Sequence, residues 1–339
     1  MSTRERAGWR AVLAALPWAV RSQLRRQDLA LHGAAVTFYA AIAGVPMLLL
    51  AVRLATLVVG EERIRYLATT LEAALPRSSG AGPVARTIIE QAAGTSWWVT
   101  CFAVFAASLY GEGLRRAYAS LARVAEDRTG WRGRIAVLPL LAVAPLLLLA
   151  VLGITPLLAT LFSEGRPGAT ALGVYVALNV DWIAVSVPLA WSFRVVSPDP
   201  PPWRLALVGG FTTGAFVSGF LQGFTLFLWL PIDLGAPFGG NQAVGAWTAV
   251  LLWVWLLHLV VLLGYVATRQ AERITETRRL ALETAPAAAH RTGSTADLGA
   301  DPGADPGADP GADPGADPGA DPGADPGAAP QVVEAQAPR

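Results

Sequence analysis

PMLLLAVRLATLVVG, residues 46–60, sets one arginine inside an apolar run that begins near Val36. If the run crosses a membrane, Arg53 must reach water or face a protein interior with a partner; otherwise the run does not span. The rest of the chain decides. Of its 339 residues 53% are hydrophobic and only 15% charged, and the mean hydropathy is +0.45. A soluble domain of this size carries roughly 25% charged residues, so the deficit marks an integral membrane protein. All 26 basic residues are arginine, which fits a bacterial genome rich in G and C.

A spanning helix needs about 20 mostly apolar residues. Six segments qualify: Val36–Val59, Trp97–Leu114, Ile135–Phe162, Ala171–Phe193, Leu205–Leu230 and Ala243–Thr268. Arginine placement orients them. Six Arg precede the first span, six lie in Arg115–Arg134, Arg194 and Arg204 flank the link before the fifth span, and Arg269, Arg273, Arg278 and Arg279 directly follow the sixth. The other side holds Arg166 in Ser163–Thr170, none in Pro231–Gln242, and four Arg balanced by four acidic residues in Gly60–Ser96. The alternation predicts both termini in the cytoplasm. Trp97, Trp98, Trp229 and Trp247 fall at the outer ends, and Trp9, Trp18, Trp131 and Trp203 near the inner ends, as aromatic belts do. The predicted fold is all-α: a polytopic six-helix membrane domain over 32–275, kinked by prolines.

Two further pieces read as amphipathic helices. In 61–76, EERIRYLATTLEAALP, Ile64, Leu67, Leu71 and Leu75 share a face, and a short helix is predicted over 84–93. In the lead, residues 1–31, the stripe Trp9, Val12, Leu13, Leu16 and Val20 beside Arg10 and Arg21 predicts an interfacial helix on an anionic leaflet. Residues 276–339 read as a disordered cytoplasmic tail. From Asp301 it repeats DPGA seven times, with Pro and Gly too frequent for helix or strand and nothing larger than Ala to bury.

Enzyme chemistry finds no residues. His32, His258 and His290 are scattered, and Cys101 is the single cysteine, so there is no zinc set and no intrachain disulfide. Walker A, dinucleotide and nucleophile-elbow motifs are missing, and Gly111–Glu112–Gly113 reads as a flexible helix end. The expectation is a non-enzyme with no metal, no cofactor and no nucleic-acid partner. Its partners are membrane lipids and a candidate lipid or small-molecule substrate.

Polar residues inside spans are the functional candidates. They are Arg53, Asn179, Asp181, Gln222 and His258, with Glu112 read as a local ion pair with Arg115 or Arg116. Arg53 lies about 9 Å and Asp181 about 15 Å inside the outer ends of their spans, at 1.5 Å per residue. They can pair if the first and fourth spans adjoin; the alternative has Arg53 snorkelling to lipid phosphate. Gly210, Gly214 and Ser218 at four-residue spacing, continued by Gln222, form a helix-packing seam. Pro46, Pro139, Pro145, Pro156 and Pro188 permit kinks that enclose cavities.

Four stretches also resemble a known family in order. They are LHGAAVTFYAAIAGVPMLLL (31–50), GLRRAYASLARVAEDRTGWRGR (113–134), FRVVSPDPPPWRLALVGG (193–210) and GAWTAVLLWVWLLHLVVLLGYVATRQAE (245–272). Together they resemble the YihY/BrkB family of bacterial inner-membrane proteins, formerly labelled ribonuclease BN, over about residues 25–275. The chain departs from that pattern after Gly264, where Tyr265 and Val266 stand in place of a nearby glutamate. The resemblance implies six spans with both ends inside, and roles in transport, lipid-related export or envelope resistance. The leading expectation is transport or export of an envelope lipid, amphiphile or anion through a polar intramembrane cavity. The alternative is a non-transporting scaffold or envelope-integrity factor. The ribonuclease label fits neither the residues nor the membrane placement.

Overall fold

The computed structural model describes residues 3–25, 27–74, 81–124, 131–143, 147, 149, 167–230 and 232–296. Among them are α1 (Thr3–Leu24), α2 (Leu29–Val59), α3 (Glu61–Ala74), α4 (Ala81–Ala93), α5 (Trp97–Ala122), α6 (131–143), α7 (Pro167–Trp191), α8 (Trp203–Trp229) and α9 (Gln242–Ala296). A π turn, Ser192–Val196, follows α7, and a short 3₁₀ turn, Ala236–Phe238, precedes α9. No strand occurs among the described residues. The chain divides into two compact units, Met1–Glu283 and Thr284–Arg339.

Local chemistry sets the ends. Asp28 accepts a bond from the Leu31 amide at 3.0 Å, satisfying one free donor at the start of α2. That start precedes the expected Val36 by nearly two turns. Gly60 closes α2 with φ +84, a conformation that costs glycine nothing. α9 continues past 276, where the sequence placed the start of the tail, to Ala296. Residues 269–283 are rich in Arg, Glu, Ala and Leu, all good helix formers, and Arg279 pairs with Glu283 one turn on at 2.9 Å. The DPGA repeats lie outside the described residues.

Four described segments are long and apolar enough to cross a membrane: Leu29–Val59, Gly168–Val196, Trp203–Phe224 and Gln242–Glu283. α4 and α5 meet at 117° and pass that test only as a pair, which gives five. The expected third span is described only over 135–143 and at 147 and 149, where it is helical; the rest of Ile135–Phe162, including Pro145 and Pro156, lies outside the described residues. α2 runs through Pro46 and α7 through Pro188.

α2 packs along α5, α7 along α8, and the α3–α4 hairpin folds onto α2. Val52, Ala55, Ile64, Ala68, Ile89 and Ala92 close a core between that hairpin and α2. Gly111–Glu112–Gly113 is not a helix end but lies inside α5. A Cβ at Gly111 would strike Val137 of α6, and one at Gly113 would strike Tyr39 of α2. The two glycines therefore mark crossings too close for any side chain.

Candidate functional site

Arg53 does not pair with Asp181. Its Nη1 donates to the Ala93 carbonyl at 2.8 Å, and its guanidinium lies over the Trp97 ring, 5.3 Å from the centroid. Ala93 is the last residue of α4, so its carbonyl lacks an intrahelical donor. Arg53 supplies one and thereby ties α2 to the junction of α4 and α5. Its buried Nε finds no partner among the described residues.

Asp181 is half-buried on α7, and its Oδ2 accepts from Gln222 Nε2 of α8 at 2.6 Å. Asn179 turns back to its own helix and donates to the Tyr175 carbonyl at 2.7 Å. His258, 6% exposed, bridges three helices. Its Nδ1 lies 2.8 Å from the Val254 carbonyl and 3.2 Å from Thr37 Oγ1, and its Nε2 lies 3.2 Å from the Tyr110 hydroxyl. A carbonyl can only accept, so Nδ1 carries the proton and Nε2 accepts from Tyr110. The structure thus joins Asp181 to Gln222. No hydrogen bond or ion pair links Arg53, Asn179 or His258 to that pair.

The small-residue stripe of α8 faces α7. A Cβ on Gly210 would collide with Ala190, and one on Gly214 with Ser186; Ser218 is buried. Gln222 continues this stripe, so the Asp181 contact is its polar end. α8 also approaches α9 closely, since Gly209 abuts Thr268 and Gly264 abuts Thr213.

Sequence reasoning missed two features. The first is an apolar groove of about 380 Å³ between α1, α8 and α9. Trp9, Val12, Leu13 and Leu16 of α1 face Val208, Thr212 and Phe216 of α8 and Val260, Leu263 and Ala267 of α9 across it. Its only forewarning was the α1 stripe, which turns its apolar face to the bundle at this groove. The second is a buried polar and aromatic clasp at the arginine-rich end. Arg115 of α5 donates to the Val196 carbonyl at 2.7 Å, holding the π turn. Tyr118 stacks on Tyr265 with centroids 4.1 Å apart, and its hydroxyl meets Ser192 at 3.0 Å. Ser197 bonds the Tyr265 hydroxyl at 2.8 Å, and Arg269 forms ion pairs with Asp199 and Glu272. Glu112, buried nearby on α5, pairs with Arg116 and, at 2.6 Å, with Arg134 of α6.

Three segments far apart in sequence, 113–134, 193–210 and 245–272, thus close on one another. Each is a stretch that carries the family resemblance. A family profile described as virulence factor BrkB matches residues 20–288. The chain belongs to this family. No curated protein and no solved structure gives a match. The family match takes in α2 through α8 whole and α9 as far as residue 288, which places the clasp, the Asp181–Gln222 pair and the α8–α9 side of the groove within the family's own extent. Membership and the apolar helices together make this member of the family a multi-pass membrane protein.

Proposed function

We propose that this BrkB-family protein moves an amphiphile, a lipid or lipid-like molecule with an acidic headgroup, across the bacterial inner membrane, with both termini in the cytoplasm. The groove between α1, α8 and α9 carries this reading. Its volume, about 380 Å³, falls within the roughly 300–1,000 Å³ of small-molecule sites. Its walls are apolar, as an acyl chain requires. With the arginine-rich end cytoplasmic, the groove opens in the inner-leaflet half. Gln222 lies on the same helix beyond Phe216, about 9 Å further along the axis. There the Asp181–Gln222 pair gives a passing polar headgroup a contact at membrane depth. An unsatisfied polar group in hydrocarbon costs several kcal/mol, so a hydrogen bond that can be exchanged lowers the barrier to crossing.

The test is reconstitution of the full chain into liposomes with fluorescently labelled lipids of zwitterionic and acidic headgroup. Translocation well above that of protein-free liposomes is expected, fastest for the acidic lipid. Gln222→Leu is expected to slow it several-fold, because no donor is then left at that depth for the headgroup, while Asp181→Asn, whose amide still accepts from Gln222, keeps the rate. A second reading, the non-transporting scaffold, draws on the close α7–α8 seam, where Gly210 and Gly214 leave no gap at Ala190 and Ser186. It expects no translocation of any lipid or common anion, and loss of phenotype only when residues 60–96 are removed.

A further inference from the structure

Lipid tails gain little by leaving one hydrocarbon environment for another, so an amphiphile site needs polar groups for its selectivity. A recess of about 280 Å³ at the arginine-rich end offers them. It lies where α1, α5 and α9 meet and is lined by Ser22, Gln23, Arg123, Gln270 and Arg273 with the Leu121–Ala122 backbone.

The glutamines are already committed. Gln23 Nε2 donates to the Leu121 carbonyl at 2.8 Å, and Gln23 Oε1 accepts from Gln270. Gln27 also donates to the Leu121 carbonyl at 3.1 Å and to that of Ser120 at 3.2 Å. Ser22 Oγ donates to the Ala19 carbonyl at 2.8 Å. These bonds tie the three helices together and cover the Ser120 and Leu121 carbonyls near the end of α5, whose partial negative charge would otherwise repel an anion. Arg123 and Arg273 are different. Among the described residues neither guanidinium makes a hydrogen bond or ion pair, and Glu272, beside Arg273, is engaged by Arg269. A second recess shares Ser22 and adds Arg21 and Arg25 to the rim.

The backbone supplies an independent sign. Arg123 occupies the left-handed position that ends α5, with φ +58 and ψ +37. It is the one non-glycine residue with positive φ among those described. Glycine fits this position without cost, whereas a Cβ there costs roughly 1–2 kcal/mol. An arginine held in that conformation keeps its side chain on the rim of the recess at the expense of stability, which is the pattern of a strained functional residue.

We propose that this recess is a phosphate-binding site, closed by Arg123 and Arg273 as two guanidinium forks. Arginine recognises phosphate oxygens bidentately, which suits it to this chemistry. The exposed rings of Trp18, Trp131 and Trp203 at the same end of the bundle favour a lipid headgroup as the source of the phosphate. The site stands or falls on binding, whether or not the protein transports.

The experiment uses the full chain in phosphatidylcholine nanodiscs, titrated with water-soluble dihexanoyl phosphatidic acid and, separately, with inorganic phosphate. Saturable binding of the short-chain lipid is expected. Arg123→Gly and Arg273→Gln should each weaken it at least ten-fold, while Arg204→Gln, which removes one charge from the same end, changes it less than two-fold. Arg123→Gly relieves the backbone strain, so its melting temperature should hold or rise, and weaker binding cannot be blamed on misfolding. Inorganic phosphate competing as strongly as the lipid would support the site with a soluble ligand; weak competition supports the headgroup. No saturable binding, full affinity in Arg123→Gly, or equal losses in Arg204→Gln would overturn the proposal.

Discussion

Arg53 caps α4 through the Ala93 carbonyl and lies against Trp97. Replacing it with leucine removes the donor and leaves a half-buried acceptor unmet, a cost of about 1–3 kcal/mol. Arg53→Leu is therefore expected to lower the melting temperature in nanodiscs and to loosen the α3–α4 hairpin, read as faster amide exchange over 81–93. A residue that merely snorkels would tolerate the change. The swap Arg53→Asp with Asp181→Arg should not restore what either single change loses, because the two side chains have separate partners. The depth of Arg53 was legible from its position in the run. Its partner was not, because a backbone carbonyl at a helix end leaves no mark in sequence, and docking of α4 on α2 is a tertiary event. Asp181 and Gln222 were each legible as polar residues at membrane depth. Their pairing follows from the α7–α8 contact, which spacing alone does not specify.

α8 shows how much one element's sequence discloses. The four-residue spacing of Gly210, Gly214 and Ser218 announced a close seam, and α7 fills it. The same reading gave no means of separating these glycines from Gly219, which has open space where a Cβ would stand. Gly214→Ala drives a methyl group into Ser186 and is expected to destabilise by about 1–3 kcal/mol. Gly219→Ala fills nothing, removes unfolded-state freedom, and is expected to stabilise by about 0.5–1 kcal/mol. Thermal unfolding of the two variants side by side decides the assignment; equal effects would contradict the observed faces. The opposite face, with Val208, Thr212 and Phe216, resembles any lipid-facing stripe. Only its juxtaposition with α1 and α9 makes it a groove, and that juxtaposition is not encoded in the period of either helix.

Across the molecule, composition and periodicity disclosed an all-α membrane protein. The span expected over Trp97–Leu114 is apolar enough to cross a membrane only with help from α4. Glu112, Arg115 and Arg116 sit inside α5 and depress its hydropathy. Glu112 and Arg115 are buried with partners from other segments, Arg134 for Glu112 and the Val196 carbonyl for Arg115, while Arg116 stays exposed. The stretches that resemble the family are therefore the ones that converge, and their charged residues hold the arginine-rich end together. Arg269→Met, which removes the shared partner of Asp199 and Glu272, should cost about 1–3 kcal/mol, because both carboxylates are only partly buried and keep some hydration, measurable as a fall in melting temperature. The groove under α1 is the proposed path of an amphiphile. Thr212→Trp fills the groove from its exposed side without touching the α7–α8 seam. In proteoliposomes carrying a labelled acidic lipid, the wild-type chain should translocate lipid well above the protein-free rate, and Thr212→Trp should cut that rate at least five-fold at unchanged melting temperature. Translocation that Thr212→Trp leaves intact, or a wild-type rate equal to that of empty liposomes, would contradict the account.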